Sequence, residues 1–103
     1  MTSEKDLFKA AIQAFCKHNK IPPQKARVTK FDHFVTISLK NHFEQGLDME
    51  CLKILDFIFN VIGPTKTKFS QTTFVVPNSQ KIDRIDISFD EKDYKMLIET
   101  LYH

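Results

Sequence analysis

The sequence predicts an α+β domain of order αββαββα, with an antiparallel sheet of four strands and its helices packed mainly on one face. Three observations carry this. Three segments repeat apolar residues every three or four positions, and the stretches between them alternate apolar and polar residues. Cap and turn residues fall at the joins between these patterns. Finally, 103 residues with 42% apolar side chains suffice for one hydrophobic core and not for two, so residues 1–103 read as a single domain. One sheet with helices on one face buries all three apolar helix stripes.

Ser3 and Asp6 have the spacing of a capping box, which places an acid at the positive end of a first helix. Leu7, Phe8, Ala11, Ile12, Phe15 and Cys16 line one side of that helix, while Lys5, Lys9, Gln13 and Lys17 take the other. Asn19 is the expected terminator, because asparagine tolerates the left-handed conformation. Ile21 can fold back on the last turn, and Pro22-Pro23 cannot continue the helix.

Over residues 26–40 the period changes to two. Val35, Ile37 and Leu39 alternate with Phe34, Thr36, Ser38 and Lys40, and Arg27-Val28-Thr29 supplies a partner strand across a turn at Phe31-Asp32-His33. A single bent strand with a bulge fits the same letters, since neither Asn-Gly nor Asp-Gly fixes a tight hairpin.

Gly46-Leu47-Asp48 opens a second helix, with Asp48 as cap and Leu47 placed to staple onto Leu52. Over residues 49–62 only Glu50, Lys53, Asp56 and Asn60 are polar. The last three follow helical spacing, so a narrow wet stripe is expected, with the rest covered and Gly63-Pro64 as the stop. Residues 68–76 are rich in Thr, Phe and Val, and Ile85, Ile87 and Phe89 alternate with Arg84, Asp86 and Ser88. Two antiparallel strands around Pro77-Asn78-Ser79-Gln80 follow. Asp90 then caps a last helix with Asp93 at its third position, Phe89 and Tyr94 in staple positions, and Tyr94, Leu97, Ile98 and Leu101 on one face.

Composition restricts function. Fifteen basic and thirteen acidic residues leave a net charge of +2, too small an excess to announce a polyanion partner. The first six residues lack the pattern of a secretory signal, and no apolar run approaches the roughly 20 residues of a membrane span. A cytoplasmic protein without a membrane partner is expected. Cys16 and Cys51 lie in apolar helical patterns and read as buried free thiols.

No Gly-x-Ser-x-Gly elbow, HExxH, Walker loop or GxGxxG occurs, and two glycines leave little for a phosphate cradle. The expectation is binding rather than catalysis, with no catalytic residue and no cofactor. Cys16-Lys17-His18 and the set Asp32, His33 and His42 contain metal donors, but not at CxxC or HxxxH spacing, so no metal is expected.

Two charged segments remain. Lys17, Lys20, Lys25, Arg27 and Lys30 meet no acid before Asp32, and such a run is a candidate for phosphate contacts with salt-dependent, sequence-tolerant affinity. The same letters describe a solvated helix end and loop, and one arginine is few for bidentate base reading. Stacking on single strands would need exposed rings. Phe31, Phe34, Phe43, Phe69 and Phe74 are the candidates, all in or beside strand-like segments where packing into the core is the expectation. Asp83, Asp86 and Glu91, with the capping residues Asp90 and Asp93, form an acidic segment of opposite sign. Together with the free edges of a small sheet, it points to a protein partner or to self-association as a homodimer. The leading expectation is therefore a protein-protein adaptor, inhibitor or regulator. The alternative is a nucleic-acid-binding accessory protein acting through residues 17–30.

Overall fold

The computed structural model describes residues 4–42 and 46–101. The chain runs α1 (Glu4–His18), β1 (Ala26–Phe31), β2 (Phe34–Lys40), α2 (Met49–Thr65), β3 (Ser70–Val75), β4 (Ile82–Asp90) and α3 (Glu91–Leu101), with a 3-10 turn at Pro23–Lys25 leading into β1. The sheet order is β1-β2-β4-β3, and every neighbouring pair is antiparallel. Pairing continues to Phe31 opposite Phe34, so the first two strands form a true hairpin closed by Asp32-His33. Asp32, at φ 55°, takes the left-handed conformation that aspartate tolerates in such turns.

Register decides the two faces of the sheet. Opposite residues of an antiparallel pair share a face. Val28, then Val35, Ile37 and Leu39, then Ile85, Ile87 and Phe89 therefore fall on one side. There they merge into one core with Phe8, Ile12 and Cys16 of α1, Ile54, Ile58 and Ile62 of α2, and Tyr94, Leu97 and Ile98 of α3. All three helices occupy that side. Among the described residues nothing covers the other face, and β1 and β3 form the outer edges.

The capping box rests on Ser3, which lies outside the described residues. Within them, three local expectations need correction. At the end of α1 the left-handed residue is Lys20, at φ 59°, rather than Asn19. Ile21 N–H reaches the Cys16 carbonyl at 2.8 Å and Lys20 N–H the Lys17 carbonyl at 3.3 Å, a Schellman closure that needs its reversal one residue later. Asn19 instead donates its side-chain amide to the Phe15 carbonyl at 2.9 Å.

The second helix does not stop at Gly63-Pro64 but passes through both to Thr65. Pro64 removes one intrahelical hydrogen bond, that of its own missing N–H, while its fixed φ stays compatible with the helix. Lys66, at φ 56°, closes the turn by donating its N–H to the carbonyls of Ile62 (3.1 Å) and Gly63 (3.2 Å), while the Thr65 hydroxyl bonds Ile62 at 2.7 Å. The covered part of α2 is also narrower than expected. Met49, Leu52 and Phe59 are exposed beside the wet stripe, and Leu47 packs against the core rather than Leu52 being buried by it. The start of α3 follows its pattern: Asp90 accepts from Lys92 N–H at 2.9 Å, and the rings of Phe89 and Tyr94 lie 5.6 Å apart.

Candidate functional site

The basic run of residues 17–30 does not assemble into one patch. Lys17 and Lys20 are exposed around the C-terminal end of α1. Lys25 is only 5% exposed and leaves the surface altogether. Its ammonium donates to Asp48 at 2.5 Å, lies 3.2 Å from His42 Nδ1, and sits 3.5 Å from the Glu50 carboxylate. A buried cation needs a paired anion, so the turn before β1 and the start of α2 are drawn together here. Asn41 fixes the neighbouring backbone: it accepts from Asp48 N–H at 2.8 Å and donates to the carbonyls of Gly46 (3.0 Å) and Ile82 (2.8 Å).

Asp48 caps α2 by accepting from Cys51 N–H at 2.7 Å, and it also accepts from His42 N–H at 2.9 Å. Burial alone would raise its pKa, but the hydrogen bond from Lys25, the two amides and the Lys25 charge outweigh it and hold the carboxyl at about 2. Lys25 is correspondingly raised: burial opposes its charge, and Asp48 more than compensates. Lys25 is thus a structural cation and not available to phosphate.

The remaining candidates separate as well. Lys30 lies opposite Val35, on the helix side of the sheet, and bonds Glu91 at 2.7 Å, so one member of the basic run neutralises one member of the acidic segment. That hydrogen bond, followed by the Lys30 charge, lowers the Glu91 pKa. Asp86 lies on the open face, with Arg84 Nε 3.0 Å from its Oδ1 but not aligned for a hydrogen bond. Asp83 is exposed where β4 bulges, because Phe74 pairs with Arg84 and Val75 with Ile82, leaving Asp83 without an opposite residue on β3. Asp83, Asp86 and Glu91 therefore do not form one acidic face.

The open face does carry what the sequence assigned to the core. Its rows read Phe31–Phe34–Asp90, Thr29–Thr36–Ser88–Ser70, Arg27–Ser38–Asp86–Thr72 and Lys40–Arg84–Phe74. Phe31 is 84% exposed and Phe34 50%. The Arg84 guanidinium stands 4.2 Å over the Phe74 ring, a cation–π contact on the same surface. Phe43 lies outside the described residues, and Phe69 is on the helix side, its ring 5.6 Å from Phe59 and 6.4 Å from Phe89. Alternation identified two faces in the sequence, but only the assembled helical layer determines which of them stays open.

The two edges of the sheet differ most. β1 carries Arg27 and Lys30, cations of the kind that discourage edge-to-edge pairing. β3 reads Ser-Gln-Thr-Thr-Phe-Val, with every residue exposed and none charged. It lies within residues 69–80, the longest stretch of the chain without Lys, Arg, Asp or Glu. That stretch is the sequence signal for an unguarded edge, a signal made of missing charge and not of clustered charge.

Neither cysteine is an activated thiol. Burial, then the Asp48 charge, pushes the Cys51 thiol up to about 12, and Cys16 is raised chiefly by burial, so neither is a ready nucleophile. Among the described residues no three His, Cys, Asp or Glu side chains are placed to hold a metal ion, and no helix is long and apolar enough to cross a membrane. Comparison with protein-family models, curated proteins and solved structures gave no match to this chain.

Proposed function

We propose that this protein is a non-catalytic binding domain, an adaptor or regulator, that captures an extended protein segment as a fifth strand along the outer edge of β3. The observation that carries the reading is the contrast between a cation-guarded β1 and an uncharged, wholly exposed β3. An outer strand presents unpaired backbone N–H and C=O groups, and natural edges are normally blocked by charge, proline or a bulge. β3 has no charge or proline of its own, and the irregularity beside it lies on β4. Added strands gain affinity from main-chain hydrogen bonds and specificity from alternate side chains. Here Phe74 would read one side of the ligand, with Val75 and Phe69 reading the other. Asp83, Asp86 and Glu91 take no part, the latter two already being occupied by Arg84 and Lys30. The free thiols Cys16 and Cys51 suit a reducing compartment, and the reading places the domain in the cytoplasm.

The test is selection of random peptides on the intact protein, followed by amide NMR. Selected binders should alternate β-branched with other residues, shift the resonances of residues 70–75, and weaken about tenfold or more on a Thr73→Lys, Val75→Lys double variant. If the protein is monomeric, so that the edge is free, binders that leave residues 70–75 unshifted would overturn the reading.

One observation favours a second reading. Phe31, Phe34 and the Arg84–Phe74 pair share the open face with Arg27 and Lys40, which supplies stacking rings and cations for single-stranded nucleic acid. Of the run first considered, Arg27 belongs to this surface, Lys17 and Lys20 lie at the end of α1, and Lys25 and Lys30 are engaged elsewhere. Titration with short single-stranded oligonucleotides should shift Arg27, Phe34 and Phe74 at physiological salt. Shifts that vanish on adding modest salt would leave no ground for this reading.

A further inference from the structure

We infer that the strand captured by β3 is the β3 of a second copy of this chain, paired antiparallel about a two-fold axis at Thr72. This rests on the reading of β3 as a strand-capturing edge and names its occupant.

Charge is the first argument. A two-fold interface sets a patch against itself, so a strand bearing cations meets the same cations across the axis. That disfavours β1 through Arg27, Lys30 being paired with Glu91, and leaves β3 free of conflict. Register is the second. Opposite residues of an antiparallel pair lie on one face, so both helical layers fall on the same side only if the axis passes through a residue and not between two. Centred on Thr72, the pairing places Phe69 against the partner's Val75 and Gln71 against the partner's Thr73 on the helix side. On the open side it sets Ser70 against the partner's Phe74. Phe69 is 42% exposed and Val75 50%, and this register covers both with apolar surface. Centring on Thr73 instead would oppose Val75 to a glutamine and Phe69 to Pro77, which has no N–H to donate.

The third argument is closure. Joining two sheets of order β1-β2-β4-β3 through β3 gives eight continuous strands with β1 at both ends. Both remaining edges then carry the Arg27 cation, so growth stops at two copies. Phe59, whose ring is 5.6 Å from that of Phe69, borders the seam.

The experiment combines sedimentation velocity over a wide concentration range with oxidation of single-cysteine substitutions. The wild type should sediment as a dimer, and Thr73→Lys, Val75→Lys as a monomer with an unchanged circular dichroism spectrum. Opposite residues of an antiparallel pair bring Cα atoms to about 4.5–5.5 Å, within the span of a disulfide, so Thr72→Cys should cross-link under mild oxidant. Thr73→Cys, which faces Gln71 of the partner subunit, should not, and the native Cys16 and Cys51 are buried and do not compete. A monomeric wild type, or a dimer that cross-links through Thr73→Cys and not Thr72→Cys, would overturn the inference. If the monomer still binds selected peptides along residues 70–75, strand capture survives and only the second copy is wrong; if it binds none there, both fail.

Discussion

Lys25 and Asp48 stand 23 positions apart in the chain, yet their side chains meet at 2.5 Å, with the lysine almost wholly enclosed. Removing one partner of a buried ion pair leaves the other charge without its counterion, typically at a cost of about 3–5 kcal/mol. Asp48 keeps two backbone N–H donors and some contact with water, which places Lys25→Met near the lower end, about 3 kcal/mol. Urea unfolding measures it, with Lys17→Met as a surface control expected within about 0.5 kcal/mol of wild type. A loss for Lys25→Met below about 1 kcal/mol would show that water already screens Asp48.

The same pair sets the acid limb of stability. A carboxyl depressed from 3.8 to about 2 in the folded state stabilises fully above its unfolded value, and the contribution disappears as pH falls through about 2. The shift corresponds to roughly 2–2.5 kcal/mol. Lys25 behaves in the opposite sense: raised above 10.5, it contributes fully below that value and loses its contribution as pH climbs through its folded pKa. Urea midpoints should therefore fall between about pH 4 and pH 2 in the wild type, by less in Lys25→Met. An acid limb of equal size in both proteins would assign it to other carboxylates.

Periodicity made the architecture legible. Helical spacing in α1 and α3, alternation in β2 and β4, and the Asp48 and Asp90 caps all depend on neighbours within a few residues, and those elements stand where the letters place them. What the letters concealed depends on distance. Lys25 reads as one member of a basic run because its counterion is the cap of α2, 23 positions away, and Lys30 because Glu91 joins it only through the β1–β2–β4 register. Phe31 and Phe34 looked like core because alternation separates two faces without saying which one the helices cover. Pro64 reads as a stop because it has no N–H to donate, yet its fixed φ is compatible with a helix and the turn closes through the N–H of Lys66 instead.

Cys51 should be inert in the native state. Burial and the Asp48 charge raise its pKa to about 12, and its Sγ donates to the Lys40 carbonyl at 3.2 Å. Cys16 is fully buried and likewise raised. An aromatic disulfide reagent at mildly alkaline pH should therefore modify neither thiol until the fold opens, then both, with rates that rise as denaturant is added. Release of one equivalent within seconds from the folded protein would mean that one thiol is accessible and ionised.

Two lysines occupy helix ends where the backbone asks for glycine. Lys20 at φ 59° closes α1 and Lys66 at φ 56° closes α2, and a left-handed conformation costs a residue with a Cβ roughly 1–2 kcal/mol. Glycine removes that cost but loses more chain entropy on folding, which offsets part of the gain. Because Lys66 anchors its turn through backbone N–H bonds to Ile62 and Gly63, substitution of its side chain leaves those bonds in place. Lys20 does the same through its N–H to Lys17. Each Lys→Gly change should therefore stabilise by about 0.5–1 kcal/mol, raising the melting temperature by a few degrees. The two positions share no bond, so the double variant should add their effects. A destabilised Lys66→Gly would mean that its aliphatic stem packs against α2 strongly enough to outweigh the strain, and thermal unfolding of the single and double variants separates the cases.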